Sequence, residues 1–260
     1  MAAKKKTSGA NLMSQQVFEN RTVLVTGGSR GIGRAVCETL AEGGARVAIN
    51  FQTNEQAANE ALAAVEKNAG KAMIVQADVS REDHVERMVA EVREKLGPID
   101  LLVNNAGIAE SVAHDQLSFE SWKRMFEVNV DGPFLVTWAV KDEMIERRFG
   151  RIVNVSSLAG LVRKKEMIHY ATTKAAVNSF TRHCALAFAP YNVRVNCVAP
   201  GLTNTRLSLS ANPDVPHLIG LTALGRMAEP YEIAVVVRFL LSEESSFITG
   251  QTVSACGGRV

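Results

Sequence analysis

The sequence predicts an α/β fold: a doubly wound parallel sheet of the Rossmann type, in a single domain. Three observations predict it. Strand-like and helix-like runs alternate along the chain from residue 18 to residue 260. The first strand-like run is followed by a glycine-rich turn and then by a helix. The small and polar residues that stand out follow strand-like runs, so they should meet at the carboxyl edge of the sheet.

Composition sets the limits of this prediction. The chain has 260 residues, of which 47% are apolar, enough for a sizeable core. The net charge is +2, and a surplus of +2 lies in the first twenty residues, where Lys4, Lys5 and Lys6 stand against Glu19. We expect residues 1–17 to form a flexible tail. The remainder, 18–260, is close to neutral, which argues against a nucleic-acid partner. No apolar run reaches the length of a membrane span, so no membrane association is expected.

The four cysteines have no metal-ligand spacing. This pattern predicts no metal site, and it favours reduced thiols in a cytoplasmic location.

The run 22–26 predicts a buried first strand, and 34–42 predicts the helix after it. Between them, Gly27, Gly31 and Gly33 allow a close approach of the backbone to a ligand, and the helix N-terminus offers free N–H groups. The sequence therefore predicts a site for a dinucleotide pyrophosphate. Because the spacing departs from the common G-x-G-x-x-G, an ordinary tight turn is the alternative.

The second strand, predicted over 46–50, ends where a dinucleotide site meets the adenosine ribose. No acidic residue follows it until Glu55, whereas an acid there would repel a 2′-phosphate. Arg30, in the glycine-rich turn, offers a guanidinium that can pair with that phosphate. Both features favour NADP(H) over NAD(H), and a solvated turn residue is the alternative for Arg30.

The next two strands are predicted over 72–76 and 100–103. Asp78 follows the first of them, and it either accepts a hydrogen bond from an adenine amino group or caps the helix predicted over 81–96. Asn105, Ala106 and Gly107 follow the second. Small residues and an amide at this position suit a wall against a flat ligand, and a turn is the alternative.

A long helical region is predicted over 118–148. Asn129 stands in it among apolar neighbours, where an unbonded amide is costly, so it either fixes the backbone or holds a water. Pro133 is expected to kink the helix close to Asn129.

The run 151–155 predicts the fifth strand, and a helix from Tyr170 to about residue 189 follows. Tyr170 and Lys174 are four residues apart, so they share one helix face about 6 Å apart along the axis. A nearby ammonium favours the phenolate, which would let Tyr170 exchange a proton with a ketone or alcohol oxygen. Ser157, after the strand, would hold that oxygen. A Lys lying beside a half-buried Tyr is the alternative.

The last part of the chain contains a sixth strand over 193–198, a helix over 230–241 and a short strand over 251–254. Pro200 and Gly201 follow the sixth strand. The segment 202–224 is expected to be irregular, because it contains two prolines and a glycine, and to act as a substrate loop.

These motifs occur together and in order: Thr26-Gly27-x-x-x-Gly31-x-Gly33, Asn104-Asn105-Ala106-Gly107, Asn129, Ser157, Tyr170-x-x-x-Lys174 and Pro200-Gly201. In this the chain resembles the short-chain dehydrogenase/reductase family over nearly its whole length. Through TGGSRGIGRAV, LVNNAG, GRIVNVSS and VRVNCVAPG it is most similar to the 3-oxoacyl-[acyl-carrier-protein] reductases of fatty-acid synthesis. The resemblance implies an NADPH-dependent reduction of a carbonyl, expected to be that of a 3-oxoacyl thioester.

The resemblance also implies roles for particular residues. Tyr170 is the general acid, Ser157 orients the carbonyl oxygen, and Lys174 lowers the pKa of Tyr170 and bonds the nicotinamide ribose. Asn129 holds a water that continues the proton path. The implied cofactor-binding residues are Gly27, Ser29, Arg30, Gly31, Ile32, Gly33, Gln52, Asp78, Val79, Asn105, Ala106, Gly107, Tyr170, Lys174, Pro200, Gly201, Thr203 and Thr205.

Finally, the resemblance implies a homotetramer and an acidic partner, acyl-carrier protein. Arg147, Arg148 and Arg151 match part of the basic dock that such reductases present near the site entrance. Arg163, Lys164 and Lys165 either substitute for its missing part or form a solvated charge run. Two alternatives stay open. One is a dehydrogenase of another secondary alcohol or ketone, such as a sugar, steroid or xenobiotic. The other is a non-catalytic NADP(H)-binding regulator.

Overall fold

The computed structural model describes residues 17–67, 71–163, 165–212 and 214–259, and most of the predicted tail lies outside them. Seven parallel strands form one sheet in the order β3-β2-β1-β4-β5-β6-β7. The strands are β1 Thr22–Val25, β2 Arg46–Phe51, β3 Ala72–Gln76, β4 Ile99–Asn104, β5 Gly150–Val155, β6 Val193–Pro200 and β7 Thr252–Ala255. The predicted doubly wound sheet is confirmed. Its order reverses between β1 and β4, where the carboxyl edge of such a sheet opens into a crevice.

Helices cover both faces of the sheet. They are α1 Gly31–Glu42, α2 Glu55–Glu66, α3 Glu82–Leu96, α4 Phe119–Phe126, α5 Gly132–Glu146, α6 Ile168–Phe188, α7 Arg206–Ser210, α8 Val215–Gly220 and α9 Pro230–Leu241. One core lies under α1, α2 and α9, and the other lies under α3, α5 and α6. Val23 and Val25 face the first core and Leu24 faces the second. Burial on both faces explains why the strands read as continuous apolar runs.

The long helical region differs from its prediction. A π-helical turn, Glu127–Asp131, separates α4 from α5. Pro133 stands in the first turn of α5, where a missing N–H costs nothing. The structure has an irregularity, the wider turn, directly before Pro133, and the kink expected at Pro133 stays a prediction. Asn129 lies in that turn and is fully buried.

The segment 202–224 also has more regular structure than predicted. It contains α7 and α8, which are capped by the side chains of Thr205 and Asp214. Pro216 lies in the first turn of α8, so it begins a helix rather than breaking one. Two short helices, rather than an irregular loop, thus lie across the carboxyl end of β6.

Candidate active site

The carboxyl ends of β5 and β6 and the first turns of α6 enclose a cavity. Ser157, Tyr170 and Lys174 line it together, although Ser157 is thirteen positions before Tyr170 in the chain. Pro200, Gly201, Thr203 and Thr205 line it from the other side. The structure therefore brings three of the four predicted catalytic residues to one place, beside four of the predicted cofactor-binding residues.

The Tyr170 hydroxyl is buried in this cavity. Burial raises the pKa of Tyr170 above its ordinary value, and a hydrogen bond with the Ser157 side chain opposes that rise. A phenol with a raised pKa stays protonated at neutral pH, which is the form that can give a proton to a carbonyl oxygen. The Ser157 Oγ also accepts a hydrogen bond from the Ala159 N–H at 3.1 Å, which fixes the position of that hydroxyl.

Lys174 is buried beside Tyr170. Its Nζ donates a hydrogen bond to the Val155 carbonyl at 3.0 Å and lies 5.7 Å from the centroid of the Tyr170 ring. Burial lowers the pKa of Lys174 to about 8. Burial of the phenol is the largest influence on the pKa of Tyr170 and raises it. That Lys174 lowers this pKa stays a prediction.

Asn129 lines neither this cavity nor the cleft described below. Its Oδ1 accepts from the Ile108 N–H at 2.9 Å and its Nδ2 donates to the Ile108 carbonyl at 3.0 Å. The same Nδ2 lies 3.2 Å from the Thr173 hydroxyl, one residue before Lys174. Of the two alternatives for this amide, the structure favours the one in which it fixes the backbone. That it also holds a water stays a prediction.

A larger cleft of about 940 Å³ adjoins the cavity along the carboxyl ends of β1, β2, β3 and β4. The predicted cofactor-binding residues that line it are Gly27, Ser29, Arg30, Gly31, Ile32, Gln52, Asp78, Val79, Asn105, Ala106, Gly107 and Thr205. Ile32, Asn105, Gly107 and Thr205 line both spaces, so the cleft and the cavity are continuous. An extended ligand in the cleft can therefore reach Tyr170.

The glycine-rich turn fits a phosphate group. Gly27 and Gly31 have φ values of +62° and +55°, which side chains rarely adopt. The turn leads directly into α1, whose first N–H groups lack partners within the helix. Gly33 does not line the cleft. It lets α1 pack on the turn, because a Cβ there would lie 2.3 Å from the Gly27 carbonyl oxygen.

We expect Gly33→Ala to lower the free energy of unfolding by about 1–3 kcal/mol, the usual cost of overpacking. The added methyl group meets backbone and the Asn105 amide rather than a flexible side chain. Gly220→Ala is the matched control, since nothing lies within 4 Å of a Cβ at that position. Urea unfolding of both variants measures the difference, and equal stabilities would show that α1 can shift to make room.

Two residues to which the sequence reasoning gave no role, Asn50 and Thr26, help to hold this turn in place. The Asn50 Oδ1 accepts from the Gly27 N–H at 3.1 Å. The Thr26 hydroxyl oxygen accepts from the N–H groups of Asn105 and Ala106, both at 3.0 Å. Asn105 in turn donates to the Gly27 carbonyl at 3.0 Å. A buried amide at the end of an otherwise apolar strand was the available signal for Asn50.

Asp78 is held by several partners. Its Oδ1 accepts from the Ser80 N–H and hydroxyl at 2.9 and 2.6 Å, and its Oδ2 accepts from Gln52 at 2.8 Å. Burial raises the pKa of Asp78, but the hydrogen bonds from Ser80 and Gln52 and the charge of Arg124 outweigh it, so the pKa is lowered. The carboxylate forms a turn before α3 and does not cap that helix, whose N-cap is Arg81. Arg124, on α4, pairs with Asp78, and the spacing of residues in the sequence could not reveal this contact.

The predicted basic dock does not lie at the site entrance within this chain. Arg151 begins β5 and Ser157 follows its end, so roughly 20 Å of strand separates them. Arg147 pairs with Asp100 at 2.7 Å, and the buried Arg151 pairs with Glu243 at 2.9 Å. Arg148 donates to the Pro190 carbonyl at 3.0 Å. These three arginines hold the opposite edge of the sheet together.

Across the described ranges, no helix is both long enough and apolar enough to span a bilayer. Within those ranges, no group of three or more His, Cys, Asp or Glu side chains is arranged to hold a metal ion.

A glycine-lined dinucleotide cleft that opens onto a buried Ser–Tyr–Lys cluster defines a nicotinamide-dependent oxidoreductase acting on CH–OH or carbonyl groups. The short chain dehydrogenase family model matches residues 21–216. The chain belongs to that family.

Named relatives differ in what they act on. A cyclopentanol dehydrogenase of Comamonas testosteroni is 40% identical over 92% of this chain and 96% of its own. A 3-oxoacyl-[acyl-carrier-protein] reductase of Synechocystis sp. is 36% identical over 92% and 97%. An acetoacetyl-CoA reductase of Allochromatium vinosum is 39% identical over 92% and 98%. Among solved structures, a 3-oxoacyl-[acyl-carrier protein] reductase of Brucella melitensis with bound NAD has a TM-score of 0.86 at 36% identity, covering 99% of this chain and 97% of that one.

Proposed function

We propose that the protein reduces a 3-oxoacyl thioester to the 3-hydroxyacyl thioester with NADPH, as in fatty-acid synthesis. The observation that carries this proposal is that Ser157 and Tyr170 line one cavity, and that this cavity is continuous with the dinucleotide cleft. A carbonyl oxygen placed between these two hydroxyl groups is both oriented and supplied with a proton.

Each residue then has one task. The bound nicotinamide supplies the hydride. Ser157 positions the carbonyl oxygen, and Tyr170 gives it a proton from a phenol that burial keeps protonated. Lys174, which lines the cavity, holds the ribose next to the nicotinamide. Asn129 fixes Ile108, and a water at Asn129 relays protons to Tyr170.

The choice of NADP(H) rests on charge. Arg30 is exposed and lines the cleft, and its guanidinium has no ion-pair partner among the described residues. Arg34, one turn later, is paired with Glu38 at 2.8 Å. Since Gln52 stands where an acid would repel a 2′-phosphate, Arg30 is available to bind that phosphate.

The relatives named as 3-oxoacyl-[acyl-carrier-protein] reductase and acetoacetyl-CoA reductase support a thioester as the substrate. Acyl-carrier protein remains part of the proposal, with Arg163 and Lys165 as its contacts. Both side chains are exposed in the segment between Ser157 and Tyr170, on the catalytic edge of the sheet. The relative named as a cyclopentanol dehydrogenase favours a second candidate, the oxidation of a cyclic secondary alcohol.

We expect purified protein to oxidise NADPH with acetoacetyl-CoA faster than with cyclopentanone, and faster than NADH with either. Loss of NADPH absorbance measures this. Cyclopentanol with NADP⁺ or NAD⁺ tests the second candidate in the same apparatus. Turnover of the cyclic substrates alone would support the assigned catalytic residues and would rule out a thioester as the substrate. NADPH binding without turnover of any carbonyl would favour the regulator.

The homotetramer also remains a proposal. Phe134 and Trp138 on α5 stack at 4.4 Å yet are 40% and 41% exposed, and Phe180 on α6 packs beside them. An apolar aromatic face of this kind favours association with another copy. Sedimentation velocity measures the oligomeric state. The cytoplasmic location also stays a prediction.

A further inference from the structure

The cavity around Tyr170 is lined almost entirely by apolar and neutral residues. Among the described residues that line it, Lys174 and Arg259 carry charge. Lys174 donates to the Val155 carbonyl, at the floor of the cavity. The guanidinium of Arg259 forms no hydrogen bond or ion pair with any residue that the structure describes, and the residue is only half-exposed. Among the described residues, the Arg259 guanidinium therefore has no counter-charge in this cavity.

The backbone delivers Arg259 to this position through a defined turn. Gly257 and Gly258 have φ values of +62° and +78°, and the Arg259 N–H donates to the Cys256 carbonyl at 3.3 Å. The Leu224 N–H donates to the Gly257 carbonyl at 3.1 Å, which ties the turn to the segment after α8. A Cβ on Gly257 would lie 2.7 Å from Thr222. A Cβ on Gly201, which lines the cavity, would lie 2.7 Å from the Cys256 Cα, so the start of the turn is packed against the wall of the cavity.

An arginine in such a place suits an anion. Its planar guanidinium matches phosphate and carboxylate geometry, and a charge-assisted bond is strengthened where water is partly excluded. An unpaired cation at a half-buried site is costly, and a substrate anion removes that cost. The neutral lining offers such an anion no competing charge apart from Lys174.

We propose that Arg259 is a specificity-determining residue that pairs with an anionic group of the substrate. That group is the phosphate of a phosphopantetheine-type thioester carrier or a carboxylate of the oxo compound itself. The inference rests on the proposed carbonyl reduction and narrows its substrate class to anionic carbonyl compounds. Arg259 does not touch the reacting atoms in this proposal, so it acts on binding rather than on proton or hydride transfer.

The test uses the full-length enzyme and substrates with the same acyl group. Acetoacetyl-CoA carries phosphates, whereas the N-acetylcysteamine thioester of acetoacetate is neutral. We expect Arg259→Gln to raise KM for acetoacetyl-CoA about tenfold or more with kcat unchanged, and to leave the neutral thioester within about twofold. Arg259→Lys should restore part of the loss. Arg182→Gln is the matched control, since Arg182 is an exposed arginine on α6 outside the cavity.

A second pair of substrates separates the two sources of charge. If free acetoacetate loses efficiency in Arg259→Gln and its neutral ethyl ester does not, the carboxylate is the partner. If the loss is confined to acetoacetyl-CoA, the phosphate is the partner. Raising the salt concentration should raise KM for the affected anion in the wild type more than in the variant.

The inference and the proposed function fail in different ways. Equal losses on charged and neutral substrates would show that Arg259 only supports the cavity wall, and would overturn the inference while the reduction stands. If Arg259→Gln left the KM of every anionic substrate unchanged, the inference would likewise be overturned while the proposed reduction stands. A wild-type enzyme that reduces neither thioesters nor oxo acids would overturn both.

Discussion

The Tyr170→Phe variant is expected to lose turnover by about 10²–10⁴, the usual range for removal of a general acid. The substitution deletes the hydroxyl that Tyr170 presents to the cavity that Ser157 also lines. The ring remains, so the packing of α6 and the binding of NADPH should change little. Steady-state turnover measures the first effect and NADPH titration by calorimetry measures the second.

Tyr191→Phe is the matched control for this prediction. Tyr191 follows α6 at the amino end of β6, is 41% exposed, and lies at the opposite edge of the sheet. It should keep full turnover. If Tyr170→Phe also kept full turnover, Tyr170 would not be the proton donor, whatever its position.

The Arg30→Ala variant should weaken NADPH by about 10- to 100-fold, the scale of one or two charge-assisted hydrogen bonds. NADH lacks the 2′-phosphate, so its affinity should fall by less than about threefold. Calorimetric titration of both cofactors gives the two values.

Arg87→Ala removes the same charge from α3, outside the cleft, and it controls for the overall field. Equal losses of NADPH and NADH in Arg30→Ala would remove Arg30 from the phosphate site. The choice between NADP(H) and NAD(H) would then be open again, because the similar Brucella melitensis structure has NAD bound.

Local patterns predicted the fold, and the family resemblance that rests on them predicted most residues that line the site. The period of a helix places Tyr170 and Lys174 on one face, and the glycine spacing marks the turn before α1, because both depend on neighbours in the chain. The pairing of Asn50 with Gly27 depends on β2 lying beside β1, and that of Arg124 with Asp78 joins residues 46 positions apart. No local pattern contains such contacts.

The error over the basic dock has a different origin. It came from the resemblance, whereas the direction of β5 alone separates Arg151 from Ser157. In a parallel sheet, ligands bind at the carboxyl ends of the strands, whereas Arg151 lies near the amino end of β5. The shift in the pKa of Tyr170 was missed for a third reason, since burial cannot be read from the spacing of Tyr170 and Lys174.

The π-helical turn at Asn129 has a consequence for the register of everything after it. A π turn holds one more residue than an α turn, and each residue of an α-helix rotates the chain by about 100°. The segment from Phe119 to Glu146 therefore carries one inserted residue relative to a continuous helix. Deleting it would regularise the helix and turn Phe134 and Trp138 by more than a quarter of a circle. That single insertion thus sets both the direction of the Asn129 amide and the side of the molecule on which the aromatic face emerges.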